Sequence, residues 1–228
     1  MAKTSETSSI LQRMLVESHA REPERFSRAP LPYPREFNDQ IDAFVEAIGI
    51  AVKGRPSVAR GIVQALDHKP IVEWFDAFAQ HAGSERLKFL GKKAVKRGGG
   101  GKRDMRQSRV RRLAERDGYR CGYCDIRIIE PRILRKVDKL LGGRVIRGLT
   151  EKRSNLSYHG IWLLTAVTLD HIEPLAENRN DTDQNLVACC WGCNFGKYHY
   201  TLDELQLQHP IQQREIVGSW DGLLGLVR

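Results

Sequence analysis

"ACCWGCNFGK", Ala188 to Lys197, packs three of the chain's five cysteines into five residues and follows the last with an asparagine. Cys190 and Cys193 make one CxxC pair, and Cys121 and Cys124 make another. Two such pairs can offer four thiolates tetrahedrally to one Zn²⁺, each pair folding a tight turn. Between Cys124 and Cys190 lie 65 residues. That is far more than the roughly 15 to 20 of a simple zinc ribbon, so the metal must clamp two separate turns across an intervening unit. Cys189 points to the strand face opposite Cys190, by the period of two, and reads as a small buried hydrophobe.

The stapled unit includes "LTAVTLDHIEPLAENRNDTDQNLVACCWGCNFGK". Its pattern is strand, loop, strand, helix: one strand ends in Asp170-His171, a polar loop runs from Glu177 to Gln184, a second strand begins at Asn185-Leu186, and a helix starts near Cys193. "GIWLLTAVTLDHI", Gly160 to Ile172, reads as strand, being apolar, rich in β-branched residues and short of caps. Asp170 and Asn194 supply oxygen ligands of the kind a hard cation prefers, and His171 supplies a base whose ordinary pKa lies near neutrality. Those are the parts of a phosphodiesterase.

"RDGYRCGYC" (Arg116 to Cys124), "LDHIEPL" (Leu169 to Leu175) and "DTDQNLVACCWGCNFGK" (Asp181 to Lys197) together resemble the HNH, or ββα-metal, endonucleases, in particular their zinc-stapled branch. The resemblance covers roughly residues 104 to 205. It implies that His171 is the general base, that Asp170 and Asn194 hold a catalytic Mg²⁺ (or Mn²⁺), and that Asn185 orients His171 by a hydrogen bond. It places Lys197 on a phosphate and makes the zinc of Cys121, Cys124, Cys190 and Cys193 structural, because four thiolates leave it no open position. Asn185 as a turn cap and Asn194 as a helix N-cap stay open, as does His199 as an alternative ligand of the catalytic cation.

Charge adds a nucleic-acid partner to this reading. The net charge of +9 is concentrated: residues 86 to 120 carry 14 Lys/Arg against 3 Asp/Glu, whereas residues 1 to 85 carry 10 against 12. A local basic strip is the electrostatic footprint of a phosphate-backbone binder. Lys102, Arg103, Arg106, Arg109 and Arg112 are its candidate DNA contacts, with duplex DNA as the partner. A phosphate-cradling loop is excluded in "KRGGGGKRD", because the GxxxxGK[ST] pattern fails at Arg103 and lacks its first glycine. No apolar window approaches the length of a membrane span, and charge interrupts the N-terminal stretch before a secretory core can form, which predicts a cytosolic protein.

The expected fold class is α+β, with a small N-terminal helical domain before a ββα-metal nuclease domain that carries a four-cysteine zinc site and a basic insert. Residues 1–35 read as a polar, loosely ordered leader, 36–90 as the helical domain, 91–103 as a basic Gly-rich linker and 104–205 as the nuclease domain; 206–228 read as a tail packing on it. Within the helical domain, helices are predicted from Asn38 to Gly54, from Ser57 to Leu66, and from Pro70 to Gly83 with Ile71, Trp74, Phe75 and Phe78 on one face. Asp104 caps a basic helix to Arg116, and Glu130 to Leu141 forms another helix inside the insert of about 125–160. Between the first CxxC and Asp-His pair, residues 125 to 169 carry 9 Lys/Arg against 4 Asp/Glu, enough to extend a DNA groove, dock a partner or cover the site. The function that follows is DNA cleavage, with restriction or anti-phage defence as its setting. The alternatives are an inactive zinc-stabilised nucleic-acid-binding module, or the nuclease subunit of a larger complex docked through the N-terminal helices.

Overall fold

A helix stands where the sequence suggests a loosely ordered leader. The computed structural model of the chain describes residues 2–31, 33–79, 81–95, 106–147, 157–212 and 218–227. In it, α1 runs Ala2–Arg21. Leu11 and Leu15, one turn apart, are fully buried. Beside them, Ser8 Oγ and Gln12 Nε2 donate to Glu85 Oε2 at 2.7 and 3.0 Å. Only a narrow apolar strip is present, so the helix is held by tertiary contacts rather than by a broad amphipathic face, and composition alone hides it.

The next elements follow their patterns more closely. After α2 (Pro23–Arg28), α3 (Phe37–Val52) buries Phe37, Ile41, Phe44, Ile48 and Ala51. Pro56 opens α4 (Pro56–Ala65), and Pro70 lies in the first turn of α5 (Lys69–Trp74). Here the expected single helix to Gly83 does not form: a π turn, Phe75–Ala79, ends the segment, and α6 (Ala82–Phe89) starts afresh. Gly83 therefore opens a helix instead of closing one. Asp104, the expected cap of the basic helix, lies outside the described residues; the helix α7 spans Gln107–Arg116 and α8 spans Pro131–Leu140.

The segment predicted as one long strand is divided. Gly160–Thr165 is a short helix, α9, entered from His159, whose Nδ1 accepts from the Ile161 N–H at 3.2 Å. All six residues of α9 are buried, so no polar face reveals a helical period. The strand β1 is confined to Val167–His171. It pairs antiparallel with β2 (Leu186–Cys190), setting Asp170 opposite Val187 and His171 opposite Leu186. Between them run α10 (Leu175–Asn178) and a 3₁₀ turn, Asp183–Asn185. The helix α11 (Trp191–Lys197) begins two residues earlier than the sequence suggests, and α12 (Leu202–Leu205) follows with a Thr201–Glu204 capping box.

A two-stranded hairpin is marginal by itself, and here it borrows its core from the whole chain. One apolar cluster runs without interruption through Leu11, Phe44, Trp74, Leu113, Val137, Leu163, Val187 and Leu223. The N-terminal helices press on α11 where it carries glycines. A Cβ at Gly83 would lie 2.5 Å from the Gly196 carbonyl oxygen, and one at Gly196 would lie 3.3 Å from Cβ of both Ala82 and Pro30. Near this seam Arg86 is fully buried, donating to the carbonyls of Phe26, Ala29 and Leu205 and lying 3.8 Å from the Phe26 ring centroid. At the C-terminal end, Trp220 Nε1 donates to Ile128 O at 3.3 Å.

Candidate metal centre and active site

The four predicted cysteines converge. Sγ atoms of Cys121, Cys124, Cys190 and Cys193 all lie within 4.8 Å of one another, and Cys124 and Cys190 are 3.7 Å apart. Sulfurs about 2.3 Å from a tetrahedral zinc stand about 3.8 Å from each other, so the cluster fits that ion, whereas a disulfide requires about 2.05 Å. All four are free thiols. Among the described residues this is the one group of three or more His, Cys, Asp or Glu side chains arranged to hold a metal.

Local hydrogen bonds explain why the two turns meet. The Gly122 N–H donates to Ala188 O at 2.9 Å, and the Ala188 N–H donates to Asp117 Oδ2 at 2.7 Å, which seats the first CxxC along the open edge of β2. A Cβ at Gly122 would fall 2.3 Å from Val187 Cγ2, so this approach requires glycine. On the other side, Cys190 caps α11, its sulfur accepting from the Cys193 N–H at 3.4 Å. Cys189 is fully buried in β2, as a small hydrophobe.

The first cysteine turn also reaches the strand end directly. Tyr123, fully buried within that turn, donates its hydroxyl to Asp170 Oδ2 at 2.7 Å. Burial first, and then the Asp170 carboxylate, push the Tyr123 phenol well above its ordinary pKa, so it stays a donor. Lys197 Nζ lies 3.2 Å from the same Asp170 oxygen and donates to His171 O at 2.8 Å. With 0% exposure, Lys197 has no access to a phosphate. It is a buried counter-ion of Asp170, and the expected phosphate contact is corrected accordingly.

Asn194 is half-buried, and its Nδ2 donates to Thr168 Oγ1 at 3.2 Å and Leu169 O at 3.3 Å. Its amide nitrogen thus faces β1 next to Asp170. Among the described residues neither Asn194 Oδ1 nor Asp170 Oδ1 takes a hydrogen bond. A carboxylate oxygen and an amide oxygen are the donors that a hard divalent cation accepts, so the pair fits one. His199 packs at a tilt against Tyr198 and Tyr200 instead, with ring centroids 4.0 and 5.0 Å away, and does not join Asp170 and His171 in a metal-binding group.

Asn185 does not bond the His171 ring. Its Nδ2 donates to Glu173 O and Asn180 O at 2.9 and 2.8 Å, and its Oδ1 accepts from the Glu173 N–H at 2.9 Å. It ties down the chain that leaves β1. The group that meets the ring is Asp181, whose Oδ1 lies 2.8 Å from His171 Nε2. His171 itself is only 4% exposed.

The arginines of α7 explain where Asp181 comes from. Arg109 Nη1 lies 3.0 Å from Asp181 Oδ2 and Arg109 Nε lies 2.9 Å from Asp183 Oδ1, while Arg112 Nη2 meets Asp183 Oδ2 at 2.6 Å. Arg109 also donates to Asp181 O, and Arg116 Nη1 donates to Asp183 O at 2.8 Å. Arg112 and Arg109 together hold the Asp183 carboxyl below its ordinary pKa. Arg109 is buried, so it is a loop clamp rather than the DNA contact the sequence suggests, and Arg112 is engaged in the same clamp. Arg106 is exposed at the start of the helix, and Lys102 and Arg103 lie outside the described residues. The signal for the clamp is in the sequence, in the two aspartates of "NDTDQN" and the arginines spaced along "RQSRVRRLAER", but their pairing requires the fold.

No curated protein and no solved structure matches the chain. Residues 153–199 match the family model of the HNH endonucleases, a span that takes in α9, β1, the clamped loop, β2 and α11. With His171 at the end of β1 and Asn194 on the helix that the second cysteine pair opens, the chain carries an HNH endonuclease domain, stapled by four cysteines positioned to bind a metal.

Proposed function

We propose that the chain is a divalent-metal-dependent endonuclease that hydrolyses DNA phosphodiester bonds at His171, with a structural Zn²⁺ in the four-cysteine site. The observation that carries the reading is the placing of His171 beside Asp170 and the Asn194 helix inside a matched HNH domain. His171 takes the proton of a water molecule as its oxygen bonds to phosphorus and the bond from phosphorus to the 3′ oxygen breaks; the departing 3′ oxygen takes a proton from solvent, and the imidazolium returns its own to solvent. Asp170 and Asn194 are the residues that would hold Mg²⁺ or Mn²⁺, which supplies positive charge for the developing oxyanions. Tyr123 and Lys197 fix the Asp170 carboxylate through Oδ2 and leave Oδ1 for that cation.

Plasmid nicking with Mg²⁺, compared between wild type and His171→Ala, tests this. The expected outcome is conversion of supercoiled to open-circular DNA by wild type, abolished by chelation, and slowed by about 100- to 10,000-fold in the variant. Equal cleavage by the two proteins, or none by either, rejects it.

A further inference from the structure

On the reading that His171 is the general base, we infer that Asp181 is its positioning residue, and that the arginine clamp of α7 exists to hold Asp181 in place. The sequence suggests Asn185 for this part, yet the Asn185 side chain is engaged with the backbone of Glu173 and Asn180. Asp181 Oδ1 lies 2.8 Å from His171 Nε2, while Asp181 Oδ2 lies 3.0 Å from the Arg109 guanidinium. A carboxylate paired to arginine is an acceptor, so it draws the imidazole hydrogen to Nε2 and places the ring's lone pair on Nδ1. Nδ1, which is buried, then carries the ring's basic lone pair.

The loop has no regular ladder to fix this geometry, and the clamp replaces one. Asp181 is reached through both its side chain and its carbonyl by Arg109, and Asp183 is gripped by Arg109 and Arg112. Asn185 Nδ2 adds a bond to Asn180 O at 2.8 Å. A carboxylate arriving from a loop is thereby as firmly placed as one on a strand, which a catalytic base requires of the group that orients it.

The test uses full-length Asp181→Ala and Asp181→Asn, the second keeping the side chain's size in case the first does not fold. Two quantities are read. One is kcat and KM for plasmid nicking with Mg²⁺. The other is the His171 tautomer from long-range proton–nitrogen correlation spectra of histidine-labelled protein, assigned with His171→Gln and recorded at about pH 9, above the ordinary imidazole pKa of about 6.5. The expected result is the Nε2–H tautomer in wild type. In the Ala variant, or in the Asn variant if Ala does not fold, it gives way to a mixed population, with kcat lower by about 10- to 100-fold and KM within about twofold. Wild-type kcat in the variants, an unchanged tautomer, or an Nδ1–H ring in wild type overturns the assignment. If wild type does not cleave at all, the nuclease reading falls, and the tautomer shift alone decides whether Asp181 orients His171.

Discussion

At the scale of single residues, the site is built from side chains that stabilise one another inside the protein. Lys197 is the clearest case. Its spacing one turn after Asn194 suggests a phosphate contact, but the helix turns it inward to Asp170. Lys197→Met leaves the 3%-exposed Asp170 carboxylate without its counter-charge and should cost about 3–5 kcal/mol, measured by urea unfolding. Tyr123→Phe removes the other donor to Asp170 and should cost about 1–3 kcal/mol. Retained zinc in that variant, measured by metal analysis of the purified protein, would separate its effect on Asp170 from any effect on the cysteines. Sequence spacing identified the four cysteines because ligand chemistry is local to a turn. It did not identify Tyr123, Asp181 or the inward turn of Lys197, because each partner is ten or more residues away and is met only after folding.

Elements show the same division. α3 and α4 were legible because an exposed face leaves a 3.6-residue period, whereas α9 is buried all round and its apolar run is indistinguishable from a strand. The cap of α9 has a pH consequence. Burial first, and then the His68 ring stacked 3.8 Å away, lower the His159 pKa to about 3, and burial lowers that of His68 as well. The unfolded chain, with histidine near 6.5, therefore binds more protons than the folded chain between about pH 6.5 and 3. Stability from His159 is fully present above pH about 6.5 and drains away as the pH falls toward 3, by several kcal/mol in all. His159→Asn keeps a capping acceptor without the titration, so its melting temperature should fall less steeply with acid than that of wild type. A Gly83→Ala substitution acts on an element contact: the new methyl meets the Gly196 carbonyl, and about 1–3 kcal/mol of stability should be lost in denaturant unfolding.

For the whole molecule, the basic character read from the sequence divides between the strip of residues 86–120 and the insert of about 125–160. Arg109 and Arg112 of α7 are spent on Asp181 and Asp183, Arg111 pairs with Glu115 and Arg116 with Asp117, while α8 presents exposed Arg135, Lys136 and Lys139, and Arg135 and Lys139 have no acidic partner among the described residues. If phosphates ride on α8, replacing these three with glutamine should flatten the log–log salt dependence of DNA binding by up to about 3 units, whereas Arg112→Gln should leave that slope unchanged. Fluorescence anisotropy over a salt series measures both. The four-cysteine site acts at this scale too, since one turn carries Cys121, Cys124 and Tyr123 and the other opens the helix of Asn194. Stripping zinc with a thiol-competent chelator should abolish cleavage that added Mg²⁺ does not restore and re-added Zn²⁺ does.

The seam at Gly83 and Gly196 has a further consequence. The HNH fragment is not a cassette that can be excised and transplanted: a chain begun at residue 104 would bare the face that Trp74, Ala82 and Pro30 cover, and Arg86 would no longer tie Leu205 to Phe26 and Ala29. Such a fragment should be recovered as aggregate even with zinc supplied. Any recombination that borrows this hairpin has to inherit its amino-terminal helices with it.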